Sequence, residues 1–131
     1  MAESIVLDTD VLIDYLRALP QAVEFLESLE DPLVISTMTV AELYAGVREG
    51  EERRILDLFI HAFEVVPVDA EIARQGGLFR RDFKASHNTG LADAIIAATA
   101  ESQQAQFVTL NAGHYPMLAN VKVPYQKRTP K

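Results

Sequence analysis

Cysteine is absent from this 131-residue sequence, which excludes disulfides, thiolate zinc sites and thiol catalysis together. No uncharged apolar run reaches about 18 residues, so a membrane-spanning helix is not expected either. The first ten residues, MAESIVLDTD, lack the basic stretch that opens a secretory signal. Internal repeats, low-complexity stretches and linkers are missing too. We therefore expect one domain over residues 1–131, located in the cytoplasm, with a frayed tail at about 126–131.

Positive charge is scarce, and it is unevenly placed along the chain. The formal net charge is −7, which argues against a protein that holds nucleic acid through a basic surface alone. Residues 1–73 contain 16 Asp or Glu and 4 Lys or Arg, a balance of −12, whereas residues 74–131 contain 3 and 8, a balance of +5. An acidic centre beside a basic region suits a metal-dependent enzyme that acts on a polyanion. A solvated surface whose charge is uneven by chance would give the same counts.

Short apolar segments alternate with helical patterns along the chain. The predicted strands are 4–7, 33–36, 64–68, 107–109 and 121–123. The predicted helices are 11–19, 21–29, 40–49, 51–63, 69–84 and 91–103, with the pair Gly76-Gly77 as a weak point in the fifth. Strands that alternate with helices indicate an α/β fold, with a mainly parallel sheet between two helical layers.

Three acidic residues, Asp8, Glu42 and Asp93, each stand where a short apolar segment meets a helix. In a parallel sheet, sites form at the carboxyl ends of the strands. Asp8 and Glu42 follow the first two predicted strands, and Asp93 opens the last helix, so we expect the three carboxylates to converge. Like charges in close contact repel each other, and a divalent cation relieves that repulsion.

Each acid also has an ordinary explanation as a helix-start residue. Asp8 can cap the helix that follows it, and Asp93 lies in a first turn, where the helix dipole favours negative charge. Glu42 can complete a capping box with Thr39. Asp93 nevertheless lies in an otherwise apolar stretch, where a buried carboxylate without a partner is costly. A shared Mg²⁺ or Mn²⁺ ion explains all three acids, and such ions support hydrolysis of phosphodiesters.

The segments IVLDTDVLIDYL, VISTMTVAELYAG, LADAIIAATA and FVTLNAGHYPM together resemble PIN-domain ribonucleases, and most closely the VapC-type toxins of prokaryotic toxin–antitoxin pairs. The resemblance implies an α/β/α sandwich and a Mg²⁺- or Mn²⁺-dependent endoribonuclease. It also implies a homodimer and a cognate antitoxin that blocks the site. Asp8, Glu42 and Asp93 carry over as the metal-binding, catalytic acids, and Thr9 matches a hydroxyl position that supports them.

One departure from the family pattern concerns a fourth acid after the last strand. Here Asn111 and His114 stand where that acid could be. Asn111 can offer a carbonyl oxygen or orient a water, and His114 can contact phosphate or metal through one ring nitrogen. Asp10 and Asp14 are candidates to compensate for the missing charge. Whether the site holds one ion or two stays open.

Four basic residues just before the Asp93 helix are candidates to bind RNA phosphates. They are Arg80, Arg81, Lys84 and His87. A solvated helix end would carry the same residue types, so this assignment stays open as well.

Two other functions fit parts of the sequence. A PIN-like module that binds RNA or protein without cutting would explain the missing fourth acid. The Asp8-Thr9-Asp10 motif also resembles the opening of haloacid-dehalogenase-type phosphatases, in which the first Asp is the nucleophile. That family needs a lysine and a later acidic pair, and the first lysine of this chain is Lys84.

Overall fold

A computed structural model describes residues 4–126 of the chain. Its centre is a five-stranded parallel sheet in the order β3-β2-β1-β4-β5. The strands are β1 (Ile5–Leu7), β2 (Leu33–Ser36), β3 (Glu64–Val66), β4 (Gln106–Val108) and β5 (Val121–Lys122). All five predicted strands are confirmed. Of the predicted tail, only Gln126 lies within the described residues.

Six α-helices connect the strands. They are α1 (Thr9–Leu16), α2 (Pro20–Glu27), α3 (Thr37–Ala45), α4 (Glu51–Ile60), α5 (Ala70–His87) and α6 (Leu91–Gln103). All six predicted helices are present, but several ends differ from the prediction. Pro20 opens α2, where its missing N–H costs no hydrogen bond. None of the helices in residues 4–126 is long and apolar enough to cross a bilayer.

The two faces of the sheet carry different sets of buried side chains. Along β1, Val6 packs into one core, whereas Ile5 and Leu7 pack into the other. The same alternation separates Phe107 from Val108 in β4, because successive side chains of a strand point to opposite faces. Helices α5 and α6 cover the first face, and α1 to α4 cover the second. The predicted three-layer α/β/α sandwich is therefore confirmed.

Helix α5 continues without interruption through Gly76 and Gly77, so the predicted weak point there is wrong. Gly76 instead allows a close helix contact. A Cβ atom at Gly76 would lie 2.8 Å from Cγ1 and 2.9 Å from Cα of Ile95 on α6. No side chain larger than hydrogen fits that space without moving the backbone of α6. The contact sets α5 directly against the helix that carries Asp93.

Candidate active site

Asp8 directly follows β1 and caps α1, as expected, but its contacts go beyond the cap. The Thr9 backbone N–H donates to its Oδ1 atom at 2.8 Å. The hydroxyls of Thr109 and Tyr115 both donate to its Oδ2 atom, each at 2.8 Å. The side chain is buried, with only 5% of its surface exposed. Asp8 thus joins the end of β1 to the segment that follows β4.

The environment of Asp8 opposes its negative charge. Burial is the main cause, and the charge of Asp10 adds to it, so the pKa of Asp8 rises from its ordinary value of 3.8 to about 7. The hydrogen bonds from Thr109, Tyr115 and Thr9 lower the pKa, but they do not offset burial. Among residues 4–126, the ion pairs do not include Asp8 or Asp10. Either a proton or a bound cation would relieve this charge.

Asp10 lies beside Asp8 and ties α1 to the segment after β4. Its Oδ1 atom accepts the Val11 N–H at 2.7 Å. Its Oδ2 atom accepts the Leu110 N–H and the Asn111 amide, each at 3.1 Å, and lies 3.4 Å from the Thr109 hydroxyl. A carboxylate accepts about four hydrogen bonds, so these donors use most of its capacity. Asp10 is therefore placed to support the site by holding the neighbouring loop.

Glu42 reaches the site from within α3 and not from its first turn. Ser36, the last residue of β2, caps the helix by accepting the Met38 N–H at 3.0 Å. The helix consequently begins at Thr37, three residues earlier than predicted, and Glu42 is its sixth residue. The capping-box interpretation of Thr39 and Glu42 is therefore wrong.

Thr9 connects Glu42 to Asp8. Its hydroxyl donates to Oε1 of Glu42 at 2.6 Å and lies 3.1 Å from the buried Thr39 hydroxyl. Its backbone N–H donates to Asp8. One residue therefore orients carboxylates from two different elements. The supporting role of Thr9 at a metal site stays a prediction.

Asp93 is the third residue of α6, and about a third of its side chain is exposed. Its Oδ2 atom lies 3.4 Å from Nδ1 of His114, and the His114 side chain is 37% exposed. Asn111 contacts Asp10. Asn111 and His114, which stand where the family has a fourth acid, thus contact Asp10 and Asp93.

Tyr115 and Thr109 complete the site, and the sequence did not reveal either of them. Tyr115 is only 2% exposed, and its ring packs edge-on against Phe107, with the centroids 4.7 Å apart. Burial raises the pKa of its phenol far above the ordinary range, and the nearby charges of Asp8 and Asp93 raise it further. Thr109 follows a buried strand directly, as Asp8 does, and that position is a signal that could have identified it. Tyr115 has no comparable signal.

The acids therefore form a connected series. Thr9 bonds Glu42 and Asp8, Tyr115 bonds Asp8 and lies close to Asp93, and His114 contacts Asp93. Within residues 4–126, no three acidic or histidine side chains stand close enough together to hold an ion as they are. The binding of one ion by Asp8, Glu42 and Asp93 together stays a prediction. The donor atoms are carboxylate oxygens, which are the ligands that Mg²⁺ and Mn²⁺ prefer. The buried Asp8 has no basic partner among residues 4–126.

The four candidate RNA-binding residues lie near the end of α5, and three of them already have partners there. Arg81 pairs with Asp82, Lys84 lies 3.4 Å from Asn88, and the His87 ring lies 2.7 Å from the Ser86 hydroxyl. Arg80 differs from them. Its Nε atom is buried and lacks a hydrogen-bond partner among the described residues.

Comparison with known proteins agrees with this architecture. A family model described as the PIN domain matches residues 5–117. Ribonuclease VapC10 from Mycobacterium tuberculosis is 42% identical over 124 residues, which cover 92% of each chain.

Two solved structures share the fold. A toxin–antitoxin complex from Klebsiella pneumoniae superposes with a TM-score of 0.81 at 24% identity, covering 94% of this chain and 99% of that one. VapBC-1 from nontypeable Haemophilus influenzae gives a TM-score of 0.69 at 25% identity, covering 86% and 90%. The haloacid-dehalogenase alternative is set aside, since the family match spans nearly the whole sheet and its helices. The chain belongs to the PIN-domain family and, within it, to the VapC ribonucleases.

Proposed function

We propose that this protein is an endoribonuclease that hydrolyses RNA phosphodiester bonds with Mg²⁺ or Mn²⁺, and that it acts in the cytoplasm as the toxin of a toxin–antitoxin pair. One observation carries the proposal. Asp8 is buried at the carboxyl edge of a parallel sheet, next to the second acid Asp10. Thr9 connects it to Glu42, and Tyr115 connects it to the neighbourhood of Asp93. Such a concentration of negative charge is costly unless a cation neutralises it.

Asp8, Glu42 and Asp93 are the residues that would hold the ion and act on the reacting phosphate. When bound, a divalent cation activates water for attack and stabilises the charge on the leaving oxygen. Thr9 holds Glu42 and Asp8 in place, and Thr109 holds Asp8. These contacts position the acids before any ligand arrives, which is what efficient charge stabilisation requires.

Arg80 is the strongest candidate among the basic residues to bind the RNA backbone. It lies four residues beyond Gly76 on α5, and residues at that spacing share a helix face. That face contacts α6 at Ile95, two residues beyond Asp93, and α5 runs from Gly76 towards the start of α6. A partly buried guanidinium without an anionic partner among residues 4–126 favours a phosphate, with which it can form paired hydrogen bonds.

The function is tested by incubating a panel of RNAs with the protein and Mn²⁺ and mapping the cut ends. Asp93→Asn is expected to lose cleavage by at least about a hundredfold, because an electrostatic contact to the reacting groups is worth several kcal/mol. Asp82→Asn is the matched control, since it makes the same change at an exposed acid that pairs with Arg81 on α5.

Two results would contradict the proposal. Equal cleavage by wild type and Asp93→Asn would refute the site assignment. Failure of the wild type to cut any RNA with Mn²⁺ would support the alternative of a PIN-like binding module. In cells, expression of the wild type without its partner is expected to arrest growth, and Asp93→Asn is expected to relieve the arrest.

We propose that the antitoxin occupies a groove beside Glu42, between α1, α3 and α4. The groove has a volume of about 450 Å³. It is lined by the charged residues Arg17, Glu42, Arg48 and Glu52 as well as by the apolar residues Ile13, Leu16, Leu43, Val47, Ile55 and Leu56. An apolar segment bound there would lie against the acid site and restrict access to it, which is how a partner can silence a nuclease.

The groove is tested with two exposed apolar residues of the same helix. Ile55 is 45% exposed and lines the groove, whereas Leu58 is 62% exposed and is not part of the lining. Ile55→Glu is expected to weaken binding to the protein of the neighbouring reading frame by about tenfold or more, because it buries a charge in an apolar contact. RNA cleavage should persist. Equal effects of Ile55→Glu and Leu58→Glu would place the antitoxin elsewhere. The homodimer implied by the family stays a proposal, which light scattering on the purified chain would test.

A further inference from the structure

We propose that Tyr115 is a positioning residue of the acid site, whose hydroxyl orients the Asp8 carboxylate for binding the divalent cation. This inference rests on the proposed function, since it assigns a role to a residue that supports a proposed ligand of the ion. It goes beyond that function by naming a buried side chain that is not itself a ligand.

The Tyr115 hydroxyl reaches Asp8 from the interior of the protein. The ring is part of the core between the sheet and α6, and it packs against Phe107 of β4. The hydrogen bond to Asp8 is itself buried, whereas about a third of the Asp93 side chain is exposed. An ion and its RNA substrate must approach from the exposed side. Tyr115 therefore supports the carboxylate from behind and does not occupy the position of the ligand.

The two carboxylate oxygens of Asp8 accept different numbers of hydrogen bonds. Oδ2 accepts two hydroxyl groups, from Thr109 and Tyr115, each at 2.8 Å. Oδ1 accepts one backbone N–H, from Thr9, at 2.8 Å. A carboxylate oxygen has two lone pairs, so the bonds to Oδ2 use both of its acceptor positions and one remains on Oδ1. Tyr115 and Thr109 thus turn the carboxylate so that Oδ1 is the oxygen left for a cation.

Tyr115 is also the side chain that stands between two of the acids. Its hydroxyl bonds to Asp8, and the charges of Asp8 and Asp93 both act on its phenol. In the absence of a cation the two carboxylates repel each other, and a hydrogen-bond donor between them reduces that repulsion. The donor keeps the Asp8 carboxylate in place until the ion binds. Groups that hydrogen-bond to metal ligands typically contribute about 10- to 100-fold in metal affinity.

A purely structural role for the hydroxyl is the competing explanation, and the chain offers a matched control for it. Tyr125 donates to Asp14 at 2.8 Å, the same bond length as that between Tyr115 and Asp8. Asp14 is buried to a similar degree, with 4% of its surface exposed. Tyr125→Phe and Tyr115→Phe therefore each remove one hydroxyl from a buried aspartate and keep the ring. They differ in which aspartate loses its donor.

The experiment is a calorimetric titration of the metal-free full-length protein with Mn²⁺, for wild type, Tyr115→Phe and Tyr125→Phe. Tyr115→Phe is expected to bind Mn²⁺ about tenfold more weakly than wild type. The Mn²⁺ concentration for half-maximal RNA cleavage should rise by the same factor, while cleavage at saturating Mn²⁺ stays within about twofold. Tyr125→Phe should keep its Mn²⁺ affinity within about twofold, whatever its effect on thermal stability.

Unchanged or tighter Mn²⁺ binding by Tyr115→Phe would overturn the inference while leaving the proposed nuclease intact. An equal loss in Tyr115→Phe and Tyr125→Phe would overturn it too, because the effect would then be structural. If the wild type neither binds Mn²⁺ nor cuts RNA, the proposed function fails, and the inference fails with it. Thermal unfolding of each variant confirms that the measured protein is folded.

Discussion

Replacing Asp8 by asparagine should stabilise the metal-free protein at alkaline pH. The pKa of Asp8 is raised from 3.8 to about 7, chiefly by burial and then by the charge of Asp10. A rise of about three pH units corresponds to about 4 kcal/mol, at about 1.4 kcal/mol for each pH unit. Acids that serve a function are often costly to stability in this way.

The direction of the pH dependence follows from which state holds the proton. Below about pH 4 both folded and unfolded chains are protonated at Asp8, so the residue costs nothing. Between about pH 4 and pH 7 only the folded chain keeps the proton, and stability falls by about 1.4 kcal/mol for each pH unit of increase. Above about pH 7 both states are ionised, and the full penalty of about 4 kcal/mol is present.

Asn at position 8 cannot ionise, so it removes this penalty. It also replaces the acceptor Oδ2 by an amino group, which costs about 2 kcal/mol, about 1 kcal/mol for each of the hydrogen bonds from Thr109 and Tyr115. Asp8→Asn should therefore lie within about 1 kcal/mol of the wild type at pH 5 and exceed it by about 2 kcal/mol at pH 8. Added Mg²⁺ should stabilise the wild type but not the variant, because only the wild type keeps the full set of acids.

The assay is urea denaturation in EDTA at pH 5 and pH 8, followed by circular dichroism. Asp14→Asn is the control, because it changes a similarly buried aspartate that bonds to Tyr125. The comparison separates a gain specific to position 8 from the general effect of replacing a buried aspartate. The reasoning is refuted if Asp8→Asn is no more stable than wild type at pH 8. It is equally refuted if the difference between the two proteins does not change with pH.

Two further predictions use neighbouring residue pairs as their own controls. Gly76→Ala should destabilise the protein by about 1–3 kcal/mol, since its Cβ would meet the backbone of Ile95. The Cβ of Gly77→Ala would meet no described residue within 4 Å, so this variant should be more stable than the wild type by up to about 1 kcal/mol. Thermal unfolding measures both, and a stable Gly76→Ala variant would contradict the packing argument. Arg80→Gln should raise KM for RNA about tenfold, worth about 1.4 kcal/mol, while Arg81→Gln, whose partner is already Asp82, should change it little. Steady-state cleavage at saturating Mn²⁺ separates the two, and equal KM values for both variants would remove Arg80 from the RNA-binding surface.

Much of the architecture could be predicted because its signals are local. A buried strand such as β1 or β4 is indicated by a short apolar run, and a helix is indicated by apolar residues at helical spacing. Asp8 and Asp93 could be placed at helix starts because capping and dipole preferences act within one turn. The start of α3, directly after β2, could not be located from the sequence in the same way. Ser36 and Thr39 are both good caps, and the structure begins α3 after Ser36.

Gly76 shows how a local signal can mislead. Glycine within a helix pattern indicates weakness when the helix is considered alone. Against α6 the same residue permits a close contact with Ile95. The deciding factor is the neighbouring helix, which the local sequence does not contain.

The sequence by itself determined the order of strands and helices, the helix starts at which Asp8 and Asp93 stand and the family to which the chain belongs. These properties depend on residue spacing and on caps that operate within a few residues. Only the tertiary structure decided which hydroxyl contacts which acid. Thr109 and Tyr115 lie 101 and 107 residues from Asp8 along the chain, and the parallel pairing of β1 with β4 brings them together. No local pattern encodes that contact, because it arises only when the sheet is complete.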